Sequence, residues 1–336
     1  MTLENHAIVL VKRPQGTPTE DCFALVQVQA PEVQTGQVKL RSRYLSVDPY
    51  MRARMNEAAH GGRTPFDIGK PLSGGVVAEV VESNSSDLAT GDVVLGMLPW
   101  QEYSVTNVKS LQKVNSYGQP LSMALGTLGM PGLTAYFGLL DIGQPKAGET
   151  VVISGAAGAV GNVVGQIAKL KECRVVGIAG SDAKTDFLKK ELHFDSAINY
   201  HTAKDLSKAV ADTCPDGLNI YFDNVGGVVS DAVLLHLAQH ARIPVCGQIS
   251  QYNLEKPEMG PRVAPFLLRS HAMMQGFLQS EYSHRFAEAL PQLAAWVKEG
   301  KLKNVETVAD GLAATPAAFI GLFHGKNLGK QVVKVA

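Results

Sequence analysis

The chain reads as an α/β protein, a run of short strands followed by a doubly wound parallel sheet. From about Pro145, strand-like apolar segments alternate with amphipathic helical ones, the pattern of a parallel sheet. A glycine run, Gly155-Ala156-Ala157-Gly158-Ala159-Val160-Gly161, sits where the first of these strands gives way to a helix. The 336 residues suit two domains at about 150 residues apiece. A content of 45% hydrophobic and 18% charged residues is globular rather than disordered.

In the first third, Ala7 to Lys12, Phe23 to Gln29, Val38 to Ser46, Gly75 to Glu82 and Asp92 to Met97 are rich in Val, Leu and Ile. Turn segments such as Pro14-Gln15-Gly16 and Thr90-Gly91 separate them, which predicts a small barrel or sandwich. Leu121 to Leu140 and Val151 to Ala168 carry no charge, but recurrent glycines and Pro131 interrupt them and argue against a membrane span. The parallel-sheet strands fall at Thr150 to Ser154, Arg174 to Ala179, Ala197 to Asn199, Asn219 to Asp223, Ile243 to Gly247 and Met273 to Phe277. Between the first two, Val160, Val163, Val164, Ile167 and Leu170 mark a helix over Ala159 to Lys171, and a later one covers Phe286 to Lys298. The ending, Lys330 to Val335, is a strand that must join an existing sheet. A return to the first domain makes that domain discontinuous, residues 1–125 with 301–336, around a nucleotide-binding domain of residues 126–300.

Lys plus Arg and Asp plus Glu are 31 each, so no global basic field draws the chain to nucleic acid or anionic membrane, and neither partner is expected. Four scattered cysteines without a CxxC, and no leader-like N-terminus, fit a reduced, cytoplasmic protein. No metal site is expected either. The one i,i+4 histidine pair, His236 and His240 on a predicted helix, has Leu237 where a zincin needs Glu. A GxSxG nucleophile elbow is also missing.

Between a strand and a helix, a glycine run lets the backbone approach a pyrophosphate, and the helix start offers N–H groups and a favourable dipole. A tight, closely packed turn would use the same residues. Cofactor choice is read at the tip of the next strand, where Gly180-Ser181 carries no carboxylate and Lys184 follows. That suits a 2′-phosphate, hence NADPH; Asp182 is the complication, a carboxylate that could serve the ribose but reads as a helix N-cap just before Ala183-Lys184, and the plain alternative for Lys184 is a solvated helix residue.

Several segments together resemble the zinc-independent medium-chain dehydrogenase/reductases, in the branch of prostaglandin reductase, 2-alkenal reductase and bacterial curcumin reductase. They are Tyr44-Leu45-Ser46-Val47-Asp48-Pro49-Tyr50-Met51-Arg52, Gly126 to Tyr136, the glycine run, Asp223-Asn224-Val225-Gly226-Gly227 and Gly325-Lys326-Asn327-Leu328-Gly329-Lys330. The resemblance implies a GroES-like β-barrel domain around an inserted Rossmann domain, and a homodimer. It also implies loss of the zinc site, since no Cys stands in Ser46 to Tyr50 and no His in Ser73-Gly74-Gly75.

By the same resemblance, residues 155–161 hold the pyrophosphate, Lys184 and Tyr200 the 2′-phosphate, and Asn224 the ribose and nicotinamide side. Cys246 and Gly247, in the run to Tyr252, line the cofactor with the backbone around Phe277 and Leu278. Asn327 reaches its phosphates, and Met130 and Thr134 sit near the nicotinamide. The implied reaction is reduction of an enone or enal double bond. Tyr252 is the candidate donor to the growing enolate, unless a cofactor ribose hydroxyl does that work. Tyr50 and Met51 are candidates for the pocket wall, and the loops Asn56 to Phe66 and Gln251 to Val263 for its size. A quinone oxidoreductase and a non-catalytic NADPH- or nucleic-acid-binding module are the alternatives.

Overall fold

The structure is a computed structural model that describes residues 4–29, 32–57 and 64–336. Residues 58–63 of the Asn56 to Phe66 loop, His60 among them, lie outside the described residues. The chain forms two compact units, Met1–Leu125 with Glu306–Asn327 and Gln331–Ala336, and Gly126–Val305 with Leu328–Lys330.

The first unit begins with the antiparallel pair β1 (His6–Leu10) and β2 (Phe23–Gln27). β3 (Gln37–Ser46), the short helix α1 (Met51–Arg54), β4 (Ser73–Ser83), β5 (Val93–Pro99), β6 (Tyr103–Asn107) and β7 (Gln112–Lys113) follow. β3 and β4 are the long central strands. β3 alternates apolar residues into the interior, with Val38, Leu40 and Leu45 fully buried. The short strands β6 and β7 were not anticipated in the sequence, because Tyr103–Asn107 is largely polar and Gln112–Lys113 spans two residues.

The second unit opens with α2 (Met130–Phe137) and a π-helical turn at Gly138–Gly143. Six strands then alternate with helices: β8 (Thr150–Ser154), α3 (Gly161–Leu170), β9 (Arg174–Ala179), α4 (Asp182–Glu191), β10 (Ser196–Asn199), α5 (Leu206–Thr213), β11 (Leu218–Phe222), α6 (Gly227–Leu234), β12 (Leu237–Val245), α7 (Ala264–Ser270) and β13 (Met273–Gly276). α8 (Phe286–Lys298) closes the series. The sheet order is β10-β9-β8-β11-β12-β13, with all pairs parallel. That is the doubly wound order, and its switch point lies between β8 and β11. Both strands are buried almost throughout, as a sheet covered by helices on two faces requires.

The chain then returns to the first unit with β14 (Glu306–Asp310), also unanticipated, α9 (Thr315–Phe323) and β15 (Lys330–Lys334). Val332, Val333 and Lys334 pair with Ser46, Leu45 and Tyr44 of β3. Phe319 of α9 is fully buried in the barrel core, edge-on to Trp100 and Phe23.

Two local expectations fail. His236 and His240 share no helix: β12 starts at Leu237, and His240 sits in it with φ +60°, beside a shift in register against β11. The cap of α4 is Ser181, whose hydroxyl accepts from the Lys184 backbone N–H at 3.3 Å. Asp182 is the first helical residue, and its carboxylate accepts instead from Asn199 Nδ2 at 2.8 Å. Among the described residues no helix is long and apolar enough to cross a membrane.

Candidate functional site

In the second unit the strands β8 and β11 deliver their C-terminal turns side by side. After Ser154, Gly155 takes a left-handed φ of +60°, and the chain closes a tight turn with Gly158 N–H donating to Gly155 O at 2.9 Å. A Cβ on Gly161 would lie 2.4 Å from Gly155 O, so only glycine lets α3 start this close to the turn. No side chain caps α3, which begins at Gly161, two residues later than its apolar spacing predicts. Gly329 N–H donates to Ala157 O at 2.8 Å and pins the loop from the side. A cradle of small residues at an uncapped helix start fits a pyrophosphate.

At the tip of β9 the Tyr200 ring lies over Gly180, its hydroxyl 3.0 Å from where a Cβ would stand, and its centroid is 4.2 Å from that of the His201 ring, tilted by 40°. Burial raises the Tyr200 phenol and lowers the Lys184 ammonium from their ordinary values. Both therefore stand partly withdrawn from water at the strand tip, where the Asp182 carboxylate is engaged by Asn199 Nδ2, an arrangement that fits a 2′-phosphate.

At the end of β11, Asn224 Nδ2 donates to Ser154 O at 2.8 Å, and the Asn224 N–H donates to Ser154 Oγ at 2.9 Å. This fixes the side chain across the gap between β8 and β11. The segment Cys246 to Tyr252 folds over the same ground: Ile249 N–H donates to Asn224 O, and Ser250 N–H and Oγ both donate to Val225 O. Tyr252 turns back on its own turn, its hydroxyl accepting from Gln248 N–H at 3.2 Å. The Cys246 thiol is pushed up to about 12, by burial first and then by the charge of Asp223. At neutral pH it is a thiol and no nucleophile.

Other sequence-predicted residues are placed less directly. Phe277 is buried edge-on to Phe222, whereas Leu278 is exposed. Met130, 36% exposed, begins α2, and the Thr134 hydroxyl donates to its carbonyl at 2.7 Å. In the first unit Tyr50 is half-buried at the start of α1. Met51 is fully buried in the barrel core, a placement that makes it a core residue rather than a wall. Asn327 is half-buried in the turn before β15.

Asp223, with Ser154, Tyr221, Ser230 and Gln248 around it, was given no role in the sequence, where it stands only as the first residue of the Asp223 to Gly227 segment. Among the described residues no group of three His, Cys, Asp or Glu converges as a metal-binding set. Gly74, where zinc-dependent relatives place a motif histidine, is packed under Trp100 and the Ser46 carbonyl.

Fold and loop together define a nucleotide-dependent dehydrogenase. Residues 6–114 match the family model described as the N-terminal domain of oxidoreductase, and residues 159–295 the one described as zinc-binding dehydrogenase. The chain is 47% identical to the NADPH-dependent curcumin reductase of Escherichia coli, over 99% of this chain and 97% of that one. It is 43% identical to the NADP(+)-dependent 2-alkenal reductase of Nicotiana tabacum, over 99% and 98%. The crystal structure of CurA from Vibrio vulnificus in complex with NADPH superposes with a TM-score of 0.92 at 44% identity, covering 98% of this chain and 99% of that one. The chain belongs to the medium-chain dehydrogenase/reductase family, in the branch of the curcumin, 2-alkenal and prostaglandin reductases, and is an NADP-dependent oxidoreductase.

Proposed function

We propose that the protein reduces the carbon–carbon double bond of α,β-unsaturated ketones and aldehydes, curcumin-like dienones or related enones, by hydride transfer to the β-carbon and protonation at the α-carbon. NADPH, when bound, supplies the hydride. The observation that carries the reading is the shared turn at β8 and β11, which sets a glycine cradle, the fixed amide of Asn224 and the Tyr252 hydroxyl within one strand-end cluster.

The backbone of residues 155–161 binds the pyrophosphate, and Lys184 and Tyr200 bind the 2′-phosphate. Asn224 holds the ribose and nicotinamide side, with Cys246, Gly247 and the backbone at Phe277 and Leu278 along the cofactor. Met130 and Thr134 contribute to the substrate side, a role that rests on the family resemblance. Tyr252, whose oxygen accepts from Gln248 N–H, is the candidate donor to the substrate oxygen where negative charge grows.

An NADPH-oxidation screen over dienones, enones, short alkenals and quinones, with product mass, tests the reading. Saturation of the bond conjugated to the carbonyl is expected. Turnover of quinones alone, with enones left intact, would replace it. Tyr252→Phe should lower kcat by about a hundredfold, as loss of one oxyanion donor does; unchanged kinetics would remove the hydroxyl from the mechanism.

A further inference from the structure

The carboxylate of Asp223 is 2% exposed at the end of β11. Six donors converge on it. Oδ1 accepts from Ser154 Oγ and Tyr221 Oη at 2.9 Å and from the Val225 and Gly226 N–H groups at 3.0 Å. Oδ2 accepts from Ser230 Oγ at 2.7 Å and Gln248 Nε2 at 3.0 Å. Among the described residues no Lys, Arg or His forms an ion pair with it. A buried acceptor set of this kind is tolerable because every lone-pair direction is used and because the group sits at the N-terminus of α6, where backbone N–H groups and the dipole favour negative charge.

These donors come from four places: the end of β8, the end of β11, the first turn of α6, and the Cys246 to Tyr252 turn. The last is reached by one side chain, Gln248. A Cβ on Gly226 would stand 2.2 Å from Gln248 Oε1, and Gly226 has φ +73°. The glycine is therefore what allows the Gln248 amide to lie flat over the α6 start and reach the carboxylate. The backbone N–H of Gln248 is in turn the donor to the Tyr252 hydroxyl.

We propose that Asp223 is a positioning residue for the cofactor site: its carboxylate, through Gln248, holds the Cys246 to Tyr252 turn in register with Asn224 and the glycine loop. The proposal rests on the reading of this strand end as part of the NADPH site. It assigns no proton transfer to Asp223. Its effect is to fix two neighbours, Asn224 through the Ser154 hydroxyl and Tyr252 through the Gln248 backbone, with one buried anchor.

Gln248→Met keeps the length of the side chain and removes one donor from a half-buried turn, so folding is expected to survive. NADPH binding is read by the rise in its own fluorescence on titration with protein, alongside thermal unfolding. The expected result is a five- to tenfold weaker Kd (about one charge-assisted hydrogen bond, partly solvated) with the unfolding midpoint retained. Asp223→Asn should weaken binding as well. In the double variant Asp223→Asn/Gln248→Met the Kd should fall short of the product of the single changes by threefold or more, since both cut the same tie. A Kd within twofold of the parent for Gln248→Met overturns the proposal. So do single changes that simply multiply. Because binding is read without substrate, failure of the enone reading in the turnover screen leaves this result interpretable.

Discussion

β8 and β11 lie side by side in the parallel sheet, yet their C-terminal turns are built from different material. The β8 turn is backbone: a left-handed glycine, a second glycine against a carbonyl, and an uncapped helix start. Its neighbour is side chain: one carboxylate with six donors, and an asparagine held by the strand next to it. A site made of backbone needs residues without side chains, so its chemistry is written in composition and spacing. A site made of side chains uses Asp, Ser, Tyr and Gln, residues common everywhere, and its meaning lies in which of them meet.

The comparison can be broken at its strongest point first. Gly161→Val places methyl groups where even a Cβ would meet Gly155 O at 2.4 Å. NADPH binding measured by fluorescence titration should weaken by about a hundredfold, since overpacking costs about 1–3 kcal/mol and the strain falls on the binding loop itself. Binding within threefold of the parent would mean that the loop can yield. Ser154→Ala tests the side-chain turn, removing the hydroxyl shared by Asp223 and the Asn224 N–H. Its expected cost is about 1–3 kcal/mol of stability, for buried groups left without a partner, with a weaker effect on NADPH Kd than Gly161→Val. The reverse ranking would show that side chains, and not backbone, carry most of the cofactor affinity. The smallest effect concerns Cys246. With its thiol at about 12, the thiolate fraction at pH 8 is about one part in ten thousand, so native protein should resist iodoacetamide while unfolded protein reacts. Rapid alkylation in the native state, measured by mass, would argue that the thiol is not shielded from water as its burial here implies.

What the sequence made legible follows the same division. Thr150–Ser154 and Arg174–Ala179 fall where apolar runs predict strands, and Phe286–Lys298 where helical spacing predicts a helix, because a core must be apolar and periodic. The segments that escaped notice, Tyr103–Asn107 and Glu306–Asp310, pair at a half-solvated barrel surface and carry little apolar signal. His240 was misplaced in a helix because a strand with a left-handed residue breaks the period that would have identified it. In the candidate site the glycine loop and Lys184 were read from position alone. Asp223 was quoted as part of a segment but given no role, because its neighbours Ser154 and Gln248 lie 69 and 25 positions away, and a single sequence gives no sign that they meet.

The pairing of Val332 to Lys334 with Tyr44 to Ser46 gives the chain an order of assembly. On a ribosome the first strands of the barrel emerge early but wait for a partner made nearly 290 residues later. The doubly wound unit, contiguous in sequence but for Leu328–Lys330 and rich in local strand–helix contacts, is nearly complete before that partner appears. The nascent polypeptide should therefore acquire its nucleotide-binding half first, and hold an open-edged, unfinished barrel until the last strand is translated.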